Sequence, residues 1–405
     1  MSINNLEKVI EPYLKGSEKQ FISYETKNLL PAGENYGSTM LSLDINVQNK
    51  NGQQETIHCV AKTLPPKKMQ EFFNTKVTFK KEVAFYTSIV PMLEEFGNER
   101  NVKDLMHFTA KCIGARISSD PNSQDVNEDA VIILENLKHQ GFSVGNRFVG
   151  FNLETTKLIL KHMAKMHGTF IAFKLAKPVE FQEKIGCYLD KALDFVAPDD
   201  MLDNLVKHVQ RHASRNLNCI PLLSKIDENT RKMKGYFVYS KYREPFGTIV
   251  HNDLWTNNML IKYLNDEPID VVFVDFQVLR YGSPARDVLF FLYSSVQLDV
   301  LKTELDELIE FYHSELVNTI KLLKCDISLF SYEAYLEEMK IAAEDTEFCH
   351  QMFMLTPLYT IEGGAIDLSE WEPTNIAPEN EEILDARYYD RLHFIILDFA
   401  KRKWI

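Results

Sequence analysis

A short stretch in the second half of the chain contains residue types that together could bind a metal ion and accept a proton. His251, Asp253 and Asn258 form the pattern H-x-D-x-x-x-x-N, and Asp275 follows seventeen residues after Asn258. An amide oxygen and a carboxylate are hard ligands of the kind that suits Mg²⁺. Phosphoryl transfer needs such ligands together with a carboxylate that orients a hydroxyl nucleophile. Asn258 and Asp275 are therefore predicted metal ligands, and Asp253 is the predicted catalytic base.

The spacing of these residues is that of a β-hairpin. Residues 259–263 and 270–274 have the pattern of two strands joined by a short loop. If they pair antiparallel with an index sum of 533, Asn258 lies directly opposite Asp275, with Cα atoms about 4.5–5.5 Å apart. One hairpin would then hold both predicted ligands at its open end. His251 belongs to the same predicted catalytic group, where we expect it to fix the loop by hydrogen bonding rather than to take part in the chemistry.

A lysine and a glutamate in the first part of the chain could complete a phosphate site. Lys62 ends a strand with the sequence V-A-K, which is similar to the V-A-I-K strand of kinases. Glu82 lies between Phe79 and Tyr86 on the apolar face of a predicted helix. A carboxylate on an inward face requires a cationic partner, and Lys62 is the natural one. The sequence predicts a Lys62–Glu82 ion pair with the lysine directed at phosphate groups.

Two further segments are candidates for nucleotide contacts. The turn before the strand at residues 40–47 contains two glycines four residues apart, and its backbone amides could cover phosphate groups. A connector after the strand at residues 130–134 could present its backbone to adenine. The predicted nucleotide-binding residues, in addition to Lys62, are Gly33, Asn35, Tyr36, Gly37, Ser38, Glu135, Asn136 and Leu137.

Periodicity divides the chain into two parts. Up to about residue 135 the pattern is mostly that of strands, including a hairpin with its turn at Asn51-Gly52 and a helix that we expect Pro91 to end. From residue 153 the pattern becomes mainly helical. We therefore predict an α+β fold with two lobes, a small antiparallel-sheet lobe at residues 1–137 and a larger helical lobe at residues 138–405.

Two polar residues outside the predicted site have simple structural interpretations. Asp287 follows Ser283 and Pro284 in the first turn of a predicted helix, where an acidic side chain interacts favourably with the helix dipole. His167 shares an apolar helix face with Met163 and Phe170, which is typical of a core histidine. Both are expected to support the fold.

Composition excludes some classes of function. The net charge is −13, with 58 acidic and 45 basic residues, so a general affinity for nucleic acid or acidic membranes is not expected. No apolar run approaches the ~20 residues that a membrane helix requires, and the first residues lack the pattern of a secretory signal. The scattered cysteines form no CxxC pair and no zinc-type cluster with histidines, which favours reduced thiols and a cytoplasmic location.

Several motifs resemble those of a known family. Residues 250–258 read V-H-N-D-L-W-T-N-N, residues 273–285 read F-V-D-F-Q-V-L-R-Y-G-S-P-A, and residues 134–137 read L-E-N-L. These segments are similar to the ecdysteroid 22-kinase-like family, in the choline kinase and aminoglycoside phosphotransferase group of the protein-kinase-like fold. The resemblance extends from about residue 30 to residue 295. It implies ATP and Mg²⁺ as cofactors and, as acceptor, an ecdysteroid or another hydroxylated small molecule such as a xenobiotic.

The resemblance also implies residue roles. It makes Asp253 the catalytic base, Asn258 and Asp275 the Mg²⁺ ligands, and Lys62 the phosphate lysine oriented by Glu82. Asp287 matches a family position that braces the catalytic loop. Asn136 occupies a position where an aspartate is expected, but only its backbone is needed for adenine. Nothing in the sequence identifies a protein partner.

Two alternatives remain open from the sequence. The acceptor could be a choline-like or aminoglycoside-like cation, for which the acidic segment at residues 370–385 offers carboxylates. The chain could instead be a catalytically silent protein that binds a small molecule. That second alternative predicts loss of Asp253, Asn258 or Asp275, and all three are present.

Overall fold

The structure, a computed structural model, describes residues 2–29, 38–72, 74–189, 197–236, 241–361 and 381–405. Ten strands occur in this part of the chain, and they form a five-stranded, a three-stranded and a two-stranded sheet. They are β1 (Lys19–Asn28), β2 (Thr39–Asn49), β3 (Gln54–Thr63), β4 (Cys112–Arg116), β5 (Val131–Glu135), β6 (Phe142–Val144), β7 (Thr248–Val250), β8 (Met259–Leu264), β9 (Glu267–Phe273) and β10 (Arg280–Gly282).

Fifteen α-helices surround these sheets in the described residues. They are α1 (Leu6–Gly16), α2 (Lys67–Phe72), α3 (Thr75–Ala84), α4 (Val90–Glu99), α5 (Leu153–Ala176), α6 (Pro178–Phe181), α7 (Cys187–Leu189), α8 (Asp199–Ala213), α9 (Leu223–Arg231), α10 (Met233–Tyr236), α11 (Ala285–Ser295), α12 (Leu298–Leu322), α13 (Tyr332–Ala342), α14 (Phe348–Tyr359) and α15 (Arg387–Lys401). The long helix α5 packs against α12 and β9, so it is the central element of the helical part.

The five-stranded sheet has the order β1-β2-β3-β5-β4 and is antiparallel throughout. Alternate residues of β2 are buried on one face because side chains of a strand point to opposite sides. That face packs against α1, a helix that the strand-like interpretation of the first 135 residues did not include. Where α1 crosses β4, a Cβ at Gly114 would lie 2.3 Å from the Val9 carbonyl oxygen, so only glycine allows this close approach.

The hairpin of β8 and β9 forms, but the predicted register is wrong by one residue. Met259 pairs with Phe273 and Lys262 with Asp270, and the register then shifts between Lys262 and Tyr263. The strands join through a two-residue turn at Asn265 and Asp266, both with positive φ, rather than through a six-residue loop. Such a turn matches strand twist. The amide of Val274 accordingly donates to the Asn258 carbonyl (3.1 Å), and Asp275 lies one residue beyond that pair.

The prediction that Pro91 ends a helix is also wrong. Helix α3 continues through a π-helical turn at Phe85–Ile89 into α4. Pro91 lies in the first turn of α4, where a proline is tolerated because its missing N–H falls at the change from π to α hydrogen bonding.

The sheet followed by a mainly helical region confirms the predicted α+β class with two lobes. The last strand of the five-stranded sheet ends at Glu135, and β6 already pairs with β8. The lobe boundary at residue 137 stays a prediction that agrees with this order of elements. Within the described ranges, no helix combines the length and apolar character needed to cross a membrane.

Candidate active site

A buried lysine connects the five-stranded sheet to the β8–β9 hairpin. Lys62 on β3 donates to Glu82 Oε2 on α3 (2.5 Å) and to Asp275 Oδ1 after β9 (2.7 Å). The side chains of Lys62 and Glu82 are 4% and 1% exposed, whereas that of Asp275 is 19% exposed. The ion pair that the sequence predicted is therefore present, and the same ammonium also reaches a predicted metal ligand.

Asp253 and Asn258 form a second pair, which lies within electrostatic reach of Asp275 and Lys62. The Asn258 amide nitrogen donates to the Asp253 carboxylate (Oδ2, 2.8 Å) and to the Asp253 carbonyl (2.9 Å). Because the amide nitrogen makes both bonds, the Asn258 side-chain oxygen is not used in the contact with Asp253. The short 3₁₀ turn at Thr256–Asn258 joins this loop to β8. The hydrogen bond from the Val274 amide to the Asn258 carbonyl then places Asn258 next to the segment that carries Asp275.

Asp287 on α11 fixes the loop that carries His251 and Asn252, the predicted catalytic loop. Its carboxylate accepts hydrogen bonds from the backbone amides of His251 and Asn252 (both 2.7 Å) and lies 3.0 Å from the ring of His167. The His167 ring also contacts the Tyr312 hydroxyl at 2.7 Å. Asp287 therefore does more than complement a helix dipole, and His167 is a buried core histidine that supports it, as its helix face predicts.

His251 joins the loop to the strand that precedes Asp275. Its Nε2 donates to the Val274 carbonyl (3.0 Å), while its backbone amide is held by Asp287. The other ring nitrogen, Nδ1, is buried and has no hydrogen-bond partner among the residues that the structure describes. Burial lowers the pKa of His251, so the imidazole is neutral and acts as a structural donor.

Burial and charge set the protonation preferences of the cluster. Burial and the neighbouring Asp275 carboxylate raise the pKa of Asp253 well above its ordinary value, against the hydrogen bond from Asn258. Burial disfavours the charged amine of Lys62, but Asp275 and Glu82 outweigh it, and the pKa of Lys62 lies above its ordinary value. Burial also raises the pKa of Glu82, and Lys62 offsets this only in part. The Lys62 ammonium thus contacts two carboxylates, those of Glu82 and Asp275, and acts on the Asp253 carboxylate only through its charge.

This charge balance fits a divalent cation. When Glu82, Asp253 and Asp275 are ionised, Lys62 leaves two negative charges unbalanced, which is the charge that Mg²⁺ supplies. The available donors are carboxylate oxygens and the Asn258 amide oxygen, all of the hard type that Mg²⁺ takes. The residues present therefore fit the predicted ion.

Asp275 has an unusual backbone. Its φ and ψ of 69° and 61° lie in the left-handed region, which costs energy for any residue with a Cβ. The next residue, Phe276, stacks on Phe85 of the π-helical turn with ring centroids 4.0 Å apart, and it also packs on His251 at 4.8 Å. Neither Phe276 nor Phe85 is among the site residues that the sequence predicts. The sequence does contain a signal for Phe276, because an aromatic residue directly after Asp275 is expected to enter the core where β9 ends.

The predicted nucleotide-contact residues are only partly described. Asn136 donates its backbone amide to the His58 carbonyl (2.9 Å), and the Glu135 carboxylate accepts from the Lys111 amide (2.8 Å), so the connector is attached to β3 and β4. Leu137 begins a 3₁₀ turn, and Ser38 is buried just before β2. The remaining four residues lie outside the described part of the chain: Gly33, Asn35, Tyr36 and Gly37.

The Lys62 cluster gives a testable prediction of stability. Lys62→Met is expected to lower the free energy of unfolding by about 3–5 kcal/mol, because it leaves Glu82 buried beside Asp275 without a cation. Adding Glu82→Gln should recover part of this loss, since a neutral amide needs no cation. Denaturant unfolding of the wild type and both variants measures these changes.

The control for this prediction is an exposed lysine in an ion pair. Lys50, whose side chain is 67% exposed, pairs with Glu18 at 2.6 Å. Lys50→Met should change stability by less than about 1 kcal/mol. A Lys62→Met variant as stable as Lys50→Met would contradict a structural role for the buried pair.

Comparison with known proteins identifies similar folds and one family. No curated protein sequence matches this chain. A spectinomycin phosphotransferase in complex with ADP and spectinomycin is a structural match with 11% identity and a TM-score of 0.39, covering 96% of this chain and 98% of that one. The GDP complex of aminoglycoside 2'-phosphotransferase-IIIa matches with 12% identity and a TM-score of 0.40, covering 98% and 99%. A choline/ethanolamine kinase family protein from Mesorhizobium loti matches with 9% identity and a TM-score of 0.33, covering 91% and 92%.

These structural matches are too distant to carry a functional argument, but the family match is extensive. The profile of the ecdysteroid kinase-like family matches residues 32–325, a segment that includes Lys62, Glu82, Asp253, Asn258 and Asp275. It confirms the predicted enzyme class, a phosphotransferase that acts on a hydroxyl group of a small molecule. The chain belongs to the ecdysteroid kinase-like family.

Proposed function

We propose that this protein transfers the γ-phosphoryl group of ATP to a hydroxyl group of an ecdysteroid or another hydroxylated small molecule. One observation supports the proposal most. A single cluster joins Lys62 on β3 and Glu82 on α3 with Asp275 directly after the hairpin, and the Asp253–Asn258 pair lies close enough to interact with it electrostatically. Phosphoryl transfer requires a cation on the phosphates, metal ligands and an orienting carboxylate, and this cluster offers all of them.

Each member of the cluster has a proposed role. Asp275 and Asn258 would hold Mg²⁺, which supplies positive charge to the β- and γ-phosphate oxygens when it is bound. Lys62 would contact phosphate oxygens while Glu82 holds its ammonium in position. Asp253, next to the Asn258 side chain, would orient the acceptor hydroxyl and accept its proton.

Supporting residues keep these groups in place. His251 and Asp287 are proposed as positioning residues, because one holds the backbone before Asp275 and the other holds the amides before Asp253. The connector from Glu135 to Leu137 is the proposed adenine contact.

The proposed metal role of Asp275 can be tested by ATP binding. Asp275→Ala should remove the gain in ATP affinity that Mg²⁺ gives the wild type, which we expect to be about tenfold or more, or about 1.4 kcal/mol. Asp275→Asn, which tolerates the left-handed backbone at this position and keeps one amide oxygen, should weaken the Mg²⁺ effect less than Asp275→Ala. Calorimetric titration of ATP with and without Mg²⁺ measures the effect.

A matched control and a contrary outcome complete this test. Asp125→Ala alters an exposed aspartate in the segment between β4 and β5 and should leave the Mg²⁺ effect unchanged. If Asp275→Ala binds ATP with the same dependence on Mg²⁺ as the wild type, Asp275 is not a metal ligand.

The acceptor is tested by a screen with purified protein, Mg²⁺ and ATP. Ecdysteroids, plant phenolics, choline and aminoglycosides are compared by the ADP that each releases, with Asp253→Asn as the blank. Of the acidic segment that could serve a cationic alcohol, Asp385 forms a bidentate pair with Arg387 (both 2.7 Å) and is therefore already neutralised. Release of ADP that depends only on choline or an aminoglycoside would overturn the ecdysteroid assignment. ATP binding that ignores Mg²⁺, with no active acceptor, would favour a silent binding protein.

A further inference from the structure

Two histidines and an aspartate meet on the surface of the helical region, away from the Lys62 cluster. His107 lies in the segment between α4 and β4, His162 lies on α5, and Asp270 lies on β9. Their potential ligand atoms all lie within 4.8 Å of one another. We propose that these three side chains form a binding site for a divalent transition-metal ion, with Zn²⁺ as the preferred ion. The proposal is independent of the proposed kinase reaction.

The distances between the ligand atoms fit such an ion. His107 Nε2 and His162 Nε2 are 3.0 Å apart, and the Asp270 Oδ1 atom lies 3.6 Å and 3.5 Å from them. Zinc binds imidazole nitrogen and carboxylate oxygen at about 2.0–2.2 Å, which separates two ligands of a tetrahedral site by about 3.3–3.5 Å. The three atoms therefore form one face of a tetrahedron at close to the required size. A fourth ligand, such as water, can enter because His107 and Asp270 are partly exposed.

Outer hydrogen bonds hold two of the three side chains in a suitable orientation. His162 Nδ1 donates to the Leu158 carbonyl (2.8 Å), so its Nε2 carries the lone pair that faces the other two residues. The Val271 amide donates to Asp270 Oδ1 (2.8 Å) and fixes the carboxylate. Metal-binding histidines almost always have such a second partner, which sets the tautomer.

The positive charge of Lys165 next to His107 disfavours binding of a cation, so substitution of Lys165 tests the proposed metal site. Its ammonium lies 2.8 Å from His107 Nδ1 and also donates to the Asp104 carbonyl (2.7 Å). As long as Nδ1 accepts from Lys165, His107 holds its hydrogen on Nε2 and directs it at His162. A metal ion replaces this hydrogen, which moves to Nδ1, and the ammonium must then turn away. Removal of the Lys165 charge should strengthen metal binding.

The site joins three segments that are distant in the sequence. The segment of His107 is already attached to β9, because the Phe273 amide donates to the Phe108 carbonyl (2.8 Å). Asp270 lies on strand β9, and Asp275 follows it after five residues, just beyond the end of the strand. An ion bound by all three segments would stabilise the folded protein, since it binds the native state and not the unfolded chain.

The test is a titration of the full chain with Zn²⁺ after treatment with EDTA and removal of the chelator, without nucleotide or Mg²⁺. Calorimetry should detect one Zn²⁺ per chain with micromolar or tighter affinity, and Zn²⁺ should raise the melting temperature. Co²⁺ should bind with the visible absorption bands of a four-coordinate site. Mg²⁺ at millimolar concentration should not displace either ion, because it prefers oxygen ligands.

Variants assign the ion to these residues. His107→Gln, His162→Gln and Asp270→Asn should each weaken Zn²⁺ binding at least tenfold, and Lys165→Met should strengthen it. His393→Gln alters a histidine outside the cluster and should bind Zn²⁺ like the wild type, as should Asp275→Asn, which tests the separate Mg²⁺ site. Melting temperatures in EDTA confirm that each variant is folded. No stoichiometric Zn²⁺ binding to the wild type, or unchanged binding in the three ligand variants, would overturn the proposal.

Discussion

Asp253→Asn is expected to lower the turnover number about 10³-fold while ATP binding remains. Asparagine keeps the shape of the side chain and an oxygen that can accept the hydrogen bond from the Asn258 amide (2.8 Å in the wild type). The loop should therefore keep its geometry. What the variant loses is the carboxylate that accepts the acceptor's proton, a loss that affects the reaction and not nucleotide binding. Steady-state kinetics with the best acceptor and calorimetry with ATP measure the two effects separately.

The matched control for Asp253 is an exposed aspartate on the β8–β9 hairpin, which follows the loop of Asp253. Asp266 lies in the two-residue turn between β8 and β9 with a φ of 65°, a conformation that asparagine tolerates well. Asp266→Asn should leave turnover unchanged. Retained turnover in Asp253→Asn would remove this residue as the base, and lost ATP binding would show that the substitution acts on the fold of the loop.

Asp287→Ala is expected to lower the free energy of unfolding by about 3 kcal/mol or more. The substitution leaves the buried amides of His251 and Asn252 without an acceptor, at a cost of about 1–3 kcal/mol each, and it also separates His167 from its partner. Hydrogen bonds from His167 and the His251 amide outweigh burial and hold the pKa of Asp287 below its ordinary value, so an ionised carboxylate is lost. Thermal and denaturant unfolding measure the loss of stability.

A second aspartate tests whether this effect comes from the helix dipole alone. Asp299 occupies the first turn of α12, as Asp287 does in α11, but its side chain is fully exposed. Asp299→Ala should cost less than about 1 kcal/mol. If both variants lose equally little stability, Asp287 is only a helix-end residue, as its sequence context alone suggests, and not a brace of the catalytic loop.

Sequence patterns predict the parts of this molecule in which local signals act. The alternation of β2 and the turn at Gly52 predict the β2–β3 hairpin, and the strand end at Lys62 together with the inward position of Glu82 predicts their ion pair. These predictions succeed because side-chain direction follows from position within one element. The three segments with family resemblance add the loop and hairpin that carry Asp253 and Asp275.

Features that depend on distant contacts or on exact backbone geometry are not predicted. The register of β8 and β9 depends on the irregularity at Lys262–Tyr263 and on the tight turn, neither of which hydrophobic alternation reveals. The cluster of His107, His162 and Asp270 does not have the short sequence spacing of a typical zinc motif, because its members come from three segments that only the fold brings together. The contact of Asp287 with two amides is likewise visible only in three dimensions.

Strand β3 has a consequence for the selection of the phosphate donor. The connector is attached to the middle of the strand at His58, whose carbonyl accepts from Asn136, while Lys62 near the end of the strand extends toward Asp275. Four residues of extended chain set a separation of about 13 Å between these two points. In the proposed enzyme, this fixed length would set the distance between the adenine contact at the connector and the phosphate contact at Lys62. A nucleoside triphosphate would contact the connector and Lys62 at once, whereas a shorter donor such as pyrophosphate would contact only one of them.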